Sequence, residues 1–186
     1  MRKAFFKWVL KIVGWKTVLI LPEEKRYIII AAPHTSNWDF PLGILFMLTT
    51  DINFKYMGKD ALFKWPIKYF FEYLGGIAVD RKNRNNLTGR IANYIKSQDE
   101  IALALAPEGT RSKTGYWKSG FYYIALEAGV PIALAGIDYG TKTLSVAKTI
   151  IPTGDIDADM EIIRNYYKNI KAKYPEKQAP IQIKPR

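Results

Sequence analysis

The chain is predicted to be α/β: a single domain with a largely parallel central sheet flanked by helices and an amphipathic helix at its N terminus. Three observations carry that expectation. Short apolar, β-branched runs recur at 17–21, 27–32, 101–106 and 130–137. Segments with helical spacing separate most of them, which is the pattern of a parallel sheet with crossover helices. Glycine and proline punctuate the junctions, as at Gly75-Gly76, Gly129 and Pro131. With 186 residues, no internal repeat and no composition break, one core is the simplest organisation.

Residues 2–13 place Phe5, Trp8, Val9, Ile12 and Val13 on one broad arc at about 100° per residue, with Lys3, Lys7 and Lys11 opposite. Aromatics on one side and lysines on the other suit a helix lying in a membrane interface. A helix packed on its own domain is the plainer alternative. The first 16 residues hold five basic groups and no acid, so 1–16 is read as a membrane-association helix. Lysines interrupt its apolar character and no small-residue cleavage site follows, so it is not read as a secretory signal.

Two strands follow at 17–21 and 27–32, joined by the charged turn 22–26. A helix is expected at 41–49 and a short strand at 53–57. An aromatic helix comes next, with Pro66 near its first turn and Gly75-Gly76 as its stop. A strand at 77–79 ends in Asp80-Arg81, and a helix covers about 87–97. The strand at 101–106 runs into Pro107-Glu108-Gly109-Thr110-Arg111, a helix covers 120–128, and a buried strand covers 130–137. Residues 143–147 read as an edge strand and about 157–173 as the last helix. The main body of the domain is therefore placed at 17–174, and 175–186 reads as a loose tail.

Composition narrows the function classes. Apolar residues make up 48% and charged residues 24%, an ordinary globular balance, but the net charge is +11. That excess points to an anionic partner: nucleic acid, an acidic membrane surface or a phosphate-bearing substrate. Aromatics do not alternate with basic residues along the strands, so no stacking platform for nucleic acid is expected. The absence of cysteine excludes disulfides, thiolate catalysis and cysteine-ligated metal, and one histidine cannot build a histidine-rich metal site. No apolar run approaches the ~18 residues of a membrane span. Asp155, Asp157 and Asp159 resemble the start of a calcium loop, but Met160 and Tyr166 stand where it needs glycine and glutamate.

The single histidine, His34, follows the strand at 27–32, and Asp39 comes five residues later before a helix. A strand–loop–helix junction of this kind presents polar groups at a sheet's carboxyl edge. A carboxylate there can hold an imidazole in one tautomer while the other ring nitrogen takes a proton from a hydroxyl. On a continuous helix, residues five apart point about 140° away from each other, so the chain must turn between them. A solitary loop histidine beside an N-capping aspartate is the alternative. Three further loops carry cations in small-residue settings: Lys59, Arg81 and Arg111. Converging at one sheet edge, they could grip a phosphate.

The ordered blocks His34…Asp39, Lys59-x-x-Leu62-x-x-x-Pro66 with Gly75-x-Ile77-x-Val79-Asp80-Arg81, the run from Pro107 to Ser112, and Val130-Pro131-Ile132 resemble the glycerolipid acyltransferase superfamily. That superfamily includes the 1-acyl-sn-glycerol-3-phosphate (lysophosphatidic acid) acyltransferases, which this sequence resembles. The resemblance spans about residues 30–137. It implies an O-acyltransferase of phospholipid biosynthesis that moves a fatty acyl group from acyl-CoA or acyl carrier protein to a lysophospholipid or glycerol-phosphate hydroxyl.

His34 would then be the general base and Asp39 its orienting partner. Lys59 and Arg81 would contact the acceptor phosphate; Glu108, Gly109, Thr110 and Arg111 would bind the glycerol-phosphate part; Val130 and Pro131 would shape the pocket. No cofactor beyond the thioester co-substrate, no metal and no nucleic acid are expected, and the protein is expected at the cytoplasmic face of a membrane as a peripheral protein. A non-catalytic anionic-lipid- or nucleic-acid-binding protein, or a lipid or thioester hydrolase using the same pair, are the alternatives.

Overall fold

The computed structural model describes residues 2–79 and 86–184. In chain order the elements are α1 (Arg2–Ile12), β1 (Lys16–Leu19), β2 (Arg26–Ala32), α2 (Asp39–Met47) and β3 (Phe54–Lys59). A 3₁₀ turn (Asp60–Phe63) leads to α3 (Lys68–Tyr73), β4 (Gly76–Val79), α4 (Leu87–Lys96) and β5 (Ile101–Leu105). Then come α5 (Gly120–Ala128), β6 (Ile132–Asp138), β7 (Thr143–Ile150) and α6 (Ile156–Tyr167).

The seven strands form one sheet in the order β1-β7-β6-β2-β5-β3-β4. Five of them, β6 to β4 in that order, run parallel; β7 is antiparallel to β6, and β1 follows β7. The expected α/β class and largely parallel sheet are therefore observed. The order corrects one expectation and adds one fact. Residues 143–150 are not an edge strand, because β1 covers their outer side through the Lys16–Thr143 to Leu19–Val146 register. And β1 and β2, joined by a charged turn, are separated in the sheet by β7 and β6.

Side-chain alternation sorts the sheet into two faces. Tyr27 and Ile29 of β2 pack with Leu10 of α1 and with Leu42 and Phe46 of α2. Phe71 of α3 reaches the same side, 6.1 Å from the Phe40 ring, while Tyr56 of β3 donates to the Phe71 carbonyl. Ile28, Ile30 and Ala32 point the other way, onto Ala92 and Ile95 of α4, Phe121 and Ala125 of α5, and Ile163 and Tyr167 of α6. The Tyr167 hydroxyl donates to the carbonyls of Ile30 and Ala135, tying α6 to two central strands.

Local chemistry explains the element ends. Asp155 caps α6 by accepting from the Asp157 and Ala158 N–H groups. The acids at 155–159 are thereby a helix start: Asp159 is buried and accepts from Tyr122 and Thr153. Gly129 ends α5 in the left-handed region (φ 68°), where glycine carries no Cβ penalty, and Val130 N–H then closes back on Ala125. α6 stops at Tyr167 rather than near 173, and residues 168–174 turn back toward the sheet.

The described part of the tail, 175–184, is not loose. Trp117 N–H donates to Gln182 O, Gln182 donates to Gly115 O, Arg164 donates to Ile181 O, and Ala179 is buried in the core. Among the described residues no helix is long and apolar enough to cross a membrane.

Candidate active site

β5, β2 and β6 are parallel neighbours, so the segments leaving their carboxyl ends emerge side by side. Glu108, His34 and Tyr139 come from those three exits. After β2 the chain folds into a tight turn in which Asp39 N–H donates to Ser36 O and Trp38 N–H donates to Ser36 Oγ. That turn supplies the reversal that five-residue spacing required, and it brings His34 Nδ1 to 3.2 Å from Asp39 Oδ2. The N–H groups of Ser36, Trp38 and Asp39 all have partners within this turn.

Asp39 is almost fully buried, and its acceptors are used on several sides. Oδ2 takes the Ser36 N–H at 2.8 Å as well as the imidazole, and Oδ1 takes the Tyr139 hydroxyl at 2.7 Å. Burial alone would raise this carboxyl. The hydrogen bonds from His34, Ser36 N–H and Tyr139 outweigh burial and hold it below its ordinary value. Asp39 thus stays ionised, fixing Nδ1–H toward itself and leaving Nε2 as the basic nitrogen on a ring that keeps partial solvent access.

Glu108 is also buried, and its Oε2 accepts the His34 backbone N–H at 2.7 Å. Burial raises its carboxyl above the ordinary value; the His34 N–H and the histidine's charge pull against that, Asp39 pushes with it, and the Ala179 N–H adds a weaker pull. Its Oε1 has no hydrogen-bond partner among the described residues. The bond adds a contact that the sequence did not suggest: Glu108 holds the histidine's backbone.

Gly109 adopts φ 66°, a conformation that favours glycine, and the flexible Lys118 side chain lies over it, with Nζ 2.7 Å from where a Cβ would stand. Thr110 Oγ1 accepts the Ser112 N–H, and Arg111 is exposed in the same turn.

Lys59 ends β3, whose carboxyl end lies at the same sheet edge through β5. Arg81 lies outside the described residues. Val130 and Pro131 do not come to the site. They precede β6, whose Ile132 pairs with Ile28, at the opposite edge of the sheet from His34. There they are buried, with Pro131 O accepting the Ile28 N–H, and their role is to start the strand.

Three groups escaped the sequence reading. Lys118 lies over Gly109 because its N–H donates to Pro107 O. Lys173 Nζ sits 5.3 Å from the Trp38 ring centre and 5.9 Å from those of Tyr139 and Tyr174. Tyr139 itself is 100 residues from Asp39 in sequence, and a tyrosine after a strand gives no local signal of such a partner. A cavity of about 390 Å³ lined by Asp51, Asn53 and Tyr73 lies at the far edge, away from this cluster.

The family description "Acyltransferase" matches residues 18–137, close to two thirds of the chain and all of the cluster except Tyr139 and Lys173. The chain belongs to that acyltransferase family. It is 31% identical over 128 residues to a 1-acyl-sn-glycerol-3-phosphate acyltransferase of Cocos nucifera; the match covers 58% of this chain. It spans 42% of the coconut protein, less than half of that relative's length. A crystal structure of the 1-acyl-sn-glycerophosphate (LPA) acyltransferase PlsC from Thermotoga maritima superposes with a TM-score of 0.62 at 21% identity, covering 92% of this chain and 79% of that one. At that identity the likeness concerns the fold.

Proposed function

We propose that this chain is a membrane-associated O-acyltransferase. It moves an acyl group from a thioester, acyl-CoA or acyl carrier protein, to the hydroxyl of a phosphate-bearing lysolipid or glycerol phosphate. One observation carries the reading: a single imidazole, fixed at Nδ1 by a buried carboxylate that is itself fixed by two further donors, with its other nitrogen on the open side. Family membership and the two relatives' names support the reaction class.

In the reaction His34 Nε2 accepts the acceptor's hydroxyl proton as the oxygen attacks the thioester carbonyl. Collapse of the tetrahedral intermediate expels the thiolate, which takes the proton back from the imidazolium. Asp39 stabilises the imidazolium while it exists. A thioester already has a good leaving group, so activating the neutral hydroxyl is the harder task. One positioned base contributes typically ~10²–10⁴-fold. Arg111 and Lys118, with Lys59 at the end of β3, supply cations for the acceptor's phosphate, and Arg81 is proposed to join them on sequence grounds alone.

The protein works as a peripheral membrane protein at the cytoplasmic face, held by the exposed Phe5, Trp8 and Ile12 of α1 and by its lysines. The helix has two apolar sides. Leu10 packs inward, fully buried, and Phe5, Trp8 and Ile12 face outward.

Purified protein screened by mass spectrometry against a panel of lysolipids and acyl donors should yield an acylated product. His34→Ala should lower its formation by ~10²–10⁴-fold with an unchanged melting curve. Turnover retained in that variant removes His34 as the base. Thioester hydrolysis without an acylated product assigns the pair to a hydrolase instead.

A further inference from the structure

The segment 64–73 leaves a second aromatic patch in the open. Trp65 is 82% and Tyr73 87% exposed, with Ile67, Tyr69 and Phe70 at 50–67%. None of α3's residues is buried. It is attached to the domain through Phe71, whose ring meets Phe40 next to Asp39 and Phe63 at the 3₁₀ turn and whose carbonyl accepts the Tyr56 hydroxyl. The patch therefore lies on the same side of the sheet as α1 and begins at the edge that carries His34. Lys64 and Lys68 flank Trp65, and Glu72 is the only acid between 61 and 79. Tryptophan and tyrosine mixed with lysine is the composition that settles at lipid headgroups.

We propose that segment 64–73 is a second bilayer contact, so that the chain lies on an anionic membrane through α1 and α3 together, with α2 between them. This deepens the membrane-associated reading above and rests on it for the occupant. Two contacts on one rigid body bind more tightly than either alone, because the second engages at a high effective concentration. Two points also limit how the sheet can tilt against the membrane, and the patch begins at the edge that carries His34.

The test is sedimentation of the full chain with vesicles of phosphatidylcholine and phosphatidylglycerol. Trp65→Ser, Tyr69→Ser and Tyr73→Ser combined should weaken binding by about tenfold or more, as should Trp8→Ser with Ile12→Ser, and all five should abolish it. Because these side chains are exposed, the circular-dichroism melt should not move. Undiminished sedimentation of the α3 triple variant overturns the proposal. So does loss of self-association, by light scattering without lipid, in place of lost vesicle binding; that result assigns the patch to a second copy of the chain. Sedimentation needs no turnover, so failure of the acyl-transfer reading leaves this outcome legible.

A different observation carries a second inference. The Tyr139 hydroxyl bonds Asp39 Oδ1, its ring meets Trp15 edge-on at 5.1 Å, and its N–H donates to Lys171 O. Trp15 N–H in turn donates to Leu10 O at the end of α1. The geometry assigns Tyr139 as a positioning residue for the His34–Asp39 pair, braced by the base of the N-terminal helix. The phenol is held protonated, well above its ordinary range, by burial and by the carboxylate it serves. The groups facing the pair are Glu108 below, Tyr139 beside it, and Lys173 and Tyr174 across the rings.

Tyr139→Phe keeps the ring and removes the donor. It should lower kcat about tenfold at unchanged acceptor KM, the kinetic equivalent of one hydrogen bond to a charged group. Without that donor more carboxylate charge bears on the imidazole, so the acid limb of kcat/KM should move to higher pH. Unchanged kcat and pH profile would show that only the ring matters. A raised KM with unchanged kcat would show that Tyr139 meets the acceptor instead. Either result overturns the assignment.

Discussion

The two faces of the sheet are each covered by three helices but finished differently. On the α4–α6 face the large apolar side chains are spent inward: Phe121, Ile124, Ile163 and Tyr167 are buried, and the helices show only Tyr94, Leu126 and Ile162 at 38–41% exposure. On the α1–α3 face Leu10, Leu42 and Phe46 fill the core, yet Phe5, Trp8, Ile12, Trp65, Tyr69, Phe70 and Tyr73 all remain outside. The surplus teaches that apolar content alone does not report burial. One face satisfies the fold; the other carries more apolar surface than the fold consumes, which is a mark of an interaction surface.

The contrast can be broken by substitution. Phe121→Ala, on the filled face, should cost about 3–5 kcal/mol in denaturant unfolding, because it opens a cavity among buried neighbours. Leu10→Ala should cost about 2–5 kcal/mol although its helix is mostly exposed, since Leu10 is the one buried residue of α1. Asp155→Ala removes the α6 cap and should cost about 1 kcal/mol. Trp8→Ser should change stability by no more than about 0.5 kcal/mol while weakening vesicle binding. A large stability loss from Trp8→Ser, or none from Leu10→Ala, would mean that the two sides of α1 are exchanged.

pH separates the two buried carboxylates. Glu108 sits above its ordinary value, so the native chain keeps a proton that the unfolded chain gives up. The stability tied to that proton is present below the ordinary carboxyl range and is lost as pH rises through the raised value. Glu108→Gln should therefore gain on the wild type in thermal melts as pH is raised from 5 to 8. Asp39 is held low, so its contribution is present above the ordinary range and is lost as pH falls through the lowered value. Asp39→Asn should narrow the gap to wild type only in acid.

Most of the sheet was legible from period and punctuation, because buried parallel strands read as continuous apolar runs. The order of strands was not: nothing in residues 143–150 tells them that β1 will cover their outer side. Within the site, His34 and Asp39 were readable because five residues and a turn connect them. Glu108 was located, but its bond to the His34 backbone was not foreseen, since that N–H is 74 residues away. The tail looked loose because its anchors are main-chain bonds to Gly115 and Trp117, which leave no mark in side-chain pattern.

The exits of three adjoining strands supply the reactive cluster, and its members lie 74 and 100 positions apart along the polypeptide. No fragment lacking β2, β5 or β6 can assemble it, so any activity of the cluster should vanish in the same transition as those strands, without a partly active intermediate on the way.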